Sequence, residues 1–129
     1  MIDFGCGSGR HTVAALKLGY EVMAVDYARR CLEVTADRVR NINRQATFIQ
    51  NNANDIPIET ASIDVDVALW SLFLNKRSGV VEILREIRRI LKEDSEVFCD
   101  FRTQDDDMYC NAKEYGEFIA ENTILMKKM

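Results

Sequence analysis

The chain begins MIDFGCGSGRHTVAALKLGY, and within nine residues Asp3, Gly5, Gly7 and Gly9 occupy alternate positions behind a short apolar stub, Met1 to Phe4. No other feature restricts so strongly what this chain can become. Glycines at the end of a strand let the backbone turn sharply, and they let a ligand lie against bare peptide groups where a Cβ would collide. A helical pattern follows at once, with Val13 and Leu16 on one face and a stop at Gly19. The start of that helix offers unpaired N–H groups to the same ligand. The plain alternative is a tight strand–helix turn that binds nothing.

The same order of elements recurs along the chain. Glu21 to Asp26 is nearly continuous apolar residues closed by an acid, as in a parallel strand covered on both faces. Ile63 to Trp70 and Glu96 to Phe101 are further strand candidates, and Thr47 to Gln50 is a short one. A second helix carries Ala28, Cys31, Leu32, Thr35, Val39 and Ile42 along one face. A third has the stripe Val80, Ile83, Leu84, Ile87 and Leu91, with Glu82, Arg85, Glu86, Arg88, Arg89 and Lys92 opposite and Ser78 as its N-cap. Strands alternating with helices predict an α/β fold, a Rossmann-like three-layer α/β/α arrangement on a mostly parallel sheet. Its ligand crevice is expected at the carboxyl ends of the strands.

At 129 residues, 47% of them apolar, the chain is expected to form one domain over 1–129, with a core over 1–102 and a tail over 103–129. A formal charge of −4 supplies no net attraction to nucleic acid or anionic lipid. No run of about 18 apolar residues occurs, and the N-terminus lacks the order of a secretory signal, so a cytoplasmic chain away from membranes is expected. Cys6, Cys31, Cys99 and Cys110 show no close pairing, and with His11 the only histidine they make no zinc pattern. Four reduced thiols and no metal are expected.

The spacing of the first loop separates two ligand chemistries. A dinucleotide fingerprint G-x-G-x-x-G requires glycine where this chain has Arg10. The alternating set Asp3, Gly5, Gly7, Gly9, with Cys6 and Arg10, resembles instead the first motif of class I S-adenosylmethionine-dependent methyltransferases. Their small-molecule members often read as an acid followed by G-C-G-x-G-R. Four motifs in order carry the resemblance over residues 1 to 102. Asp26 stands where the family keeps an acid that accepts from both ribose hydroxyls, and Tyr27 beside it would lie against adenine. Asn52-Ala53-Asn54-Asp55-Ile56-Pro57 is similar to the family's G-D-A-x-x-L-P loop, with Asn52 in place of the acid that accepts from the adenine amino group. Trp70-Ser71-Leu72-Phe73 matches the segment flanking the methionine part. Ile83 to Leu91, then Lys92-Glu93-Asp94-Ser95, is similar to R-x-L-K-P-G-G without the proline and glycines.

The resemblance implies S-adenosylmethionine as cofactor, held by Asp3, Gly5, Cys6, Gly7, Arg10, Asp26, Tyr27, Asn52, Ala53 and Trp70, with Ala53 donating its amide to the adenine ring and Arg10 facing the methionine carboxylate. It implies methyl transfer to a small-molecule acceptor. Two other readings stay open: a binding module that holds the cofactor without catalysis, and a nicotinamide-dependent oxidoreductase. No catalytic residue is assigned. His11 follows the loop and histidine often serves as a general base, yet a position at a helix start suits packing or solvation better, and an acceptor that is already nucleophilic needs no base. Against the family pattern the chain reads as truncated at both ends. Arg102 to Tyr109 and Glu117 to Leu125 are similar to a segment of tellurite-resistance-type methyltransferases. An unpaired sheet edge beside the fifth strand is expected to drive a homodimer that pairs through the tail or the edge itself, Ile119 and Ile124 to Met126 read as one more edge strand or a docking segment, and slow turnover is expected from the missing cover.

Overall fold

The computed structural model describes residues 1–72, 75, 77–100 and 124–127. Strands β1 (Ile2–Phe4), β2 (Met23–Asp26), β3 (Thr47–Gln50), β4 (Ile63–Ala68), β5 (Leu91–Cys99) and β6 (Ile124–Lys127) form one sheet in the order β3-β2-β1-β4-β5-β6. The first five run parallel, and β6 pairs antiparallel with β5, Cys99 opposite Ile124 and Glu96 opposite Lys127. Helices α1 (Arg10–Lys17), α2 (Arg29–Asn41) and α3 (Arg77–Ile90) make the crossovers.

Side chains alternate across a strand, so β1 serves two cores at once. Ile2 and Phe4 face a cluster with Val25, Ala68, Val97 and Cys99 under Ile83, Ile87 and Ile90 of α3. On the other face Leu16, Val22 and Val39 pack together, and Ala24 meets Cys6 and Leu32. Layers of helix lie on both sides of the sheet, as expected for the α/β/α fold.

Four details differ from the sequence reading. Helix α3 begins at Arg77, so Ser78 lies inside its first turn instead of capping it. Leu91 opens β5 and is not the last member of the helical stripe. Ile63 pairs with Leu91 while Val65 pairs with Glu96, so the turn expected at Lys92 to Ser95 is absorbed as an irregularity within β5. The edge beside β5, expected to be open to a second copy, is occupied by β6 of the same chain, which is the further edge strand read at Ile124 to Met126. That pairing satisfies the N–H and C=O groups that were expected to seek a second copy. Phe73, Phe101 and the remainder of the tail readings over 102–123 lie outside the described residues.

Candidate functional site

At the carboxyl ends of the strands the glycine loop turns on three backbone bonds. The Gly5 and Cys6 N–H groups both donate to Val25 O, at 2.8 and 3.0 Å, and the Gly9 N–H donates to Cys6 O at 2.8 Å. Gly5, Gly7 and Gly9 have φ of +71°, +53° and +79°, a region that residues with a Cβ enter at a cost. Their surroundings differ. A Cβ on Gly5 would lie 2.4 Å from Ser71 Cβ, and one on Gly9 would lie 2.6 Å from Thr35 Cγ2. For Gly7 the nearest atom would be Gly5 O at 4.0 Å. Two glycines thus permit close packing within the chain, and the third leaves room.

Asp26, at the end of β2, is 7% exposed. Its Oδ2 accepts from the Gly7 N–H at 2.9 Å and its Oδ1 from the Ala28 N–H at 2.8 Å. The carboxylate therefore ties the glycine loop to the start of α2, through bonds to a charged acceptor worth about 1.5–3 kcal/mol each. Each oxygen has a further lone pair for a ligand hydroxyl. Helix α2 has Ala28 at its N-cap and no side-chain capping bond, so the acid holds the residue before the helix without capping it.

A cavity of about 530 Å³ opens above the loop. Gly5, Gly7, Asp26, Tyr27, Asn52, Ala53 and Trp70 line it, so seven of the ten residues picked from the sequence meet at one place. Tyr27 and Trp70 are mostly exposed there, and Trp70 holds a φ of +59°, uncommon for a bulky residue. Strain of this kind collects at binding sites.

The other three do not line the cavity. The Asp3 side chain, 1% exposed, points to the α1 face and accepts from Thr12 Oγ1. Burial raises its pKa, against the opposing hydrogen bond from Thr12 and the nearby His11. The Cys6 thiol is buried 3.8 Å from Thr35 Oγ1, and burial pushes its pKa up to about 12. Both residues position the loop from beneath. Arg10 is exposed as the first residue of α1. The Ala53 N–H, expected to donate to a ring, donates instead to Asn51 Oδ1 at 2.7 Å, closing a turn in which Ala53 takes a φ of +74°.

Sequence reasoning missed Cys31, Asn51 and Asn75 in the wall, and named Ser71 only within the segment flanking the methionine part. It also missed how the loop after β3 is held. Arg89, placed on the polar side of α3, donates to the carbonyls of Ile56 and Ile58, both at 2.9 Å, and bridges to Glu86. Glu86 in turn accepts from the Ile56 N–H at 2.8 Å, and its pKa is lowered chiefly by Arg89. The only early signal was the spacing of Glu86 and Arg89, three residues apart on a helix. Among the described residues no group of three or more His, Cys, Asp or Glu could hold a metal ion, and no helix is long and apolar enough to cross a membrane.

A family model described as a methyltransferase domain matches residues 1–94. Ribosomal protein L11 methyltransferase from Xanthomonas oryzae pv. oryzae (strain MAFF 311018) is 38% identical over 66 residues, 50% of this chain and 21% of that protein. Cypemycin N-terminal methyltransferase from a Streptomyces species is 26% identical over 101 residues, 78% of this chain and 40% of its own length. The chain thus spans well under half of either relative. Among solved structures, a SAM-dependent methyltransferase from Methanosarcina mazei superposes with a TM-score of 0.77 at 20% identity, over 99% of this chain and 71% of that one.

Proposed function

This chain belongs to the methyltransferase-domain family, and from that premise we propose that it binds S-adenosylmethionine in the cavity above Gly5 and Gly7 and directs the methyl group to a small-molecule acceptor. The observation that carries the reading is the convergence on one cavity of an acceptor-only carboxylate, Asp26, with the open position at Gly7 and the ring of Tyr27. A carboxylate with spare lone pairs suits a vicinal diol, bare backbone suits close approach by the ligand, and an exposed ring suits a nucleobase. The donor set fits the cofactor. Asn52 supplies an amide carbonyl for the adenine amino group, whereas Ala53 contributes shape in place of its amide.

When bound, the cofactor supplies an electrophilic methyl on a sulfonium. The protein's part is to orient the acceptor and keep water out. Helix α1 has no side-chain cap, which leaves its N-terminus available to the methionine carboxylate, with Arg10 close by in sequence. The names of the L11 and cypemycin enzymes allow a protein acceptor as a second reading.

The proposal places this activity in a single cytoplasmic domain over 1–129. It also includes a homodimer, whose edge would now be the outer side of β6, and light scattering at micromolar concentration is expected to give twice the chain mass. A stable monomer removes the dimer and leaves the cofactor site untouched.

Calorimetry tests the site. S-adenosylhomocysteine is expected to bind and to raise the melting temperature, with no response to NAD or NADP, because a ligand held by the folded state alone stabilises it. Asp26→Ala should weaken binding by about 1–3 kcal/mol, the usual cost of stranding polar partners. Unchanged affinity in a variant that keeps its circular dichroism spectrum would sink the assignment.

A further inference from the structure

The sheet order sets out the cavity from one end to the other. Tyr27 and Asn52 lie beyond β2 and β3, the glycine loop beyond β1, and Trp70, Ser71 and Asn75 beyond β4. With the nucleoside toward β2 and β3, the group that receives the methyl approaches from the β4 end.

Polar atoms at that end are mostly acceptors. Asn75 Nδ2 donates to Ser71 O at 3.2 Å and to Leu72 O at 3.3 Å, which turns its Oδ1 away from those carbonyls. No described group donates to that oxygen. Ser71 Oγ is buried and has no hydrogen-bond partner among the described residues. A buried hydroxyl without a partner costs free energy until something meets it. The Trp70 backbone N–H donates to Asp100 Oδ1 at 2.7 Å, which places a further acidic group beside the main chain at this end. Among the described residues lining the cavity, Asp26 is acidic and none is basic.

The geometry points to an amine as the methyl acceptor, a conclusion that rests on the methyl-donor reading above. An amine brings N–H donors to Ser71 Oγ and Asn75 Oδ1, and in its protonated form it is drawn to the face of an indole. A carboxylate or phosphate acceptor would shed its water there without a cation to replace it. A bound ammonium first gives one proton to water, and the nitrogen then reacts as its free base. Its lone pair forms the N–CH3 bond as the methyl–sulfur bond breaks, the bonding pair stays on sulfur, and the surplus N–H proton passes to water.

Trp70 is the sole tryptophan, so its fluorescence reports on this end alone. The full chain, saturated with S-adenosylhomocysteine, is titrated with n-butylamine, butyrate and n-butanol at constant ionic strength. The amine should change Trp70 emission at concentrations at least ten-fold lower than either other probe. Asn75→Leu should abolish that preference and Ser71→Ala should reduce it, in variants that retain the wild-type circular dichroism spectrum. Equal responses to the three probes, no response to the amine, or a preference that survives in both variants would overturn the assignment. Failure to bind S-adenosylhomocysteine would overturn the methyl-donor reading and this one with it, a result distinct from normal binding without amine preference.

Discussion

Gly5→Ala is expected to destabilise the fold by about 3 kcal/mol and to abolish binding of S-adenosylhomocysteine. Two costs add. The left-handed φ of +71° charges a residue with a Cβ about 1–2 kcal/mol, and forcing a methyl into a packed site charges about 1–3 more. The contact cannot be relieved by a side-chain rotation, because the atom 2.4 Å away is Ser71 Cβ, anchored directly to the backbone of the loop after β4. Either the glycine loop or the β4 end must move, and both line the cavity. Gly7→Ala is the informative partner. Its φ is also positive, but the added methyl meets no atom closer than 4.0 Å, so it should cost about 1 kcal/mol of stability while intruding where the ligand would lie. Urea denaturation separates the two variants by stability, and calorimetry should find binding lost in both. A Gly5→Ala variant as stable as the wild type would mean that the loop and the β4 end do not touch.

The sequence announces this site because its signals are local. Glycines at alternate positions and an acid at the end of a strand depend on a few consecutive residues, and the fold brings them together wherever those strands lie side by side. Thr47–Gln50 is bounded in the structure as the short apolar-centred stretch suggests, and α2 falls within a residue of its periodic pattern. Signals that depend on distant partners were not legible. Arg89 resembles its neighbours Arg85 and Arg88 on the helix face, and only the loop some thirty residues earlier singles it out. Asp3 was grouped with the binding residues through the motif, although strand alternation sends its side chain to the face opposite Phe4. The apolar run Ile124 to Met126 is legible as a strand from its own residues, whereas its pairing with the β5 edge of the same chain, across more than twenty residues, is not.

Asp64 and Asp66 show the same limit most sharply, and they yield the second large expectation. The two stand two residues apart on β4, identical in type. Asp64 reaches solvent and binds Lys92 Nζ at 2.8 Å, which lowers its pKa. Asp66 is fully buried, opposite Ile2 on β1 and Val97 on β5, and neither of its oxygens has a hydrogen-bond partner among the described residues. Burial, with the charge of Asp3 adding to it, raises the Asp66 pKa well above 3.8. The folded state therefore keeps a proton that the unfolded chain releases. Stability from this group is complete below about pH 4 and falls as pH rises toward the folded pKa, by about 1.4 kcal/mol per pH unit. Valine, close in volume and at home between Ile2 and Val97, removes both the buried polar group and the titration. Asp66→Val should thus stabilise the protein at neutral pH by about 2 kcal/mol, which for a chain of this size raises the melting temperature by about 8 °C. The gain should widen with pH and shrink near pH 4 to the part that comes from removing an unpartnered buried carboxyl. Asp66→Asn, uncharged but still polar, should flatten the pH profile and recover less stability than valine does. Melting curves for the three proteins between pH 4 and pH 8 decide the matter: a valine variant no more stable than the wild type, with the same pH profile, would show that the Asp66 carboxyl is paired or hydrated in solution.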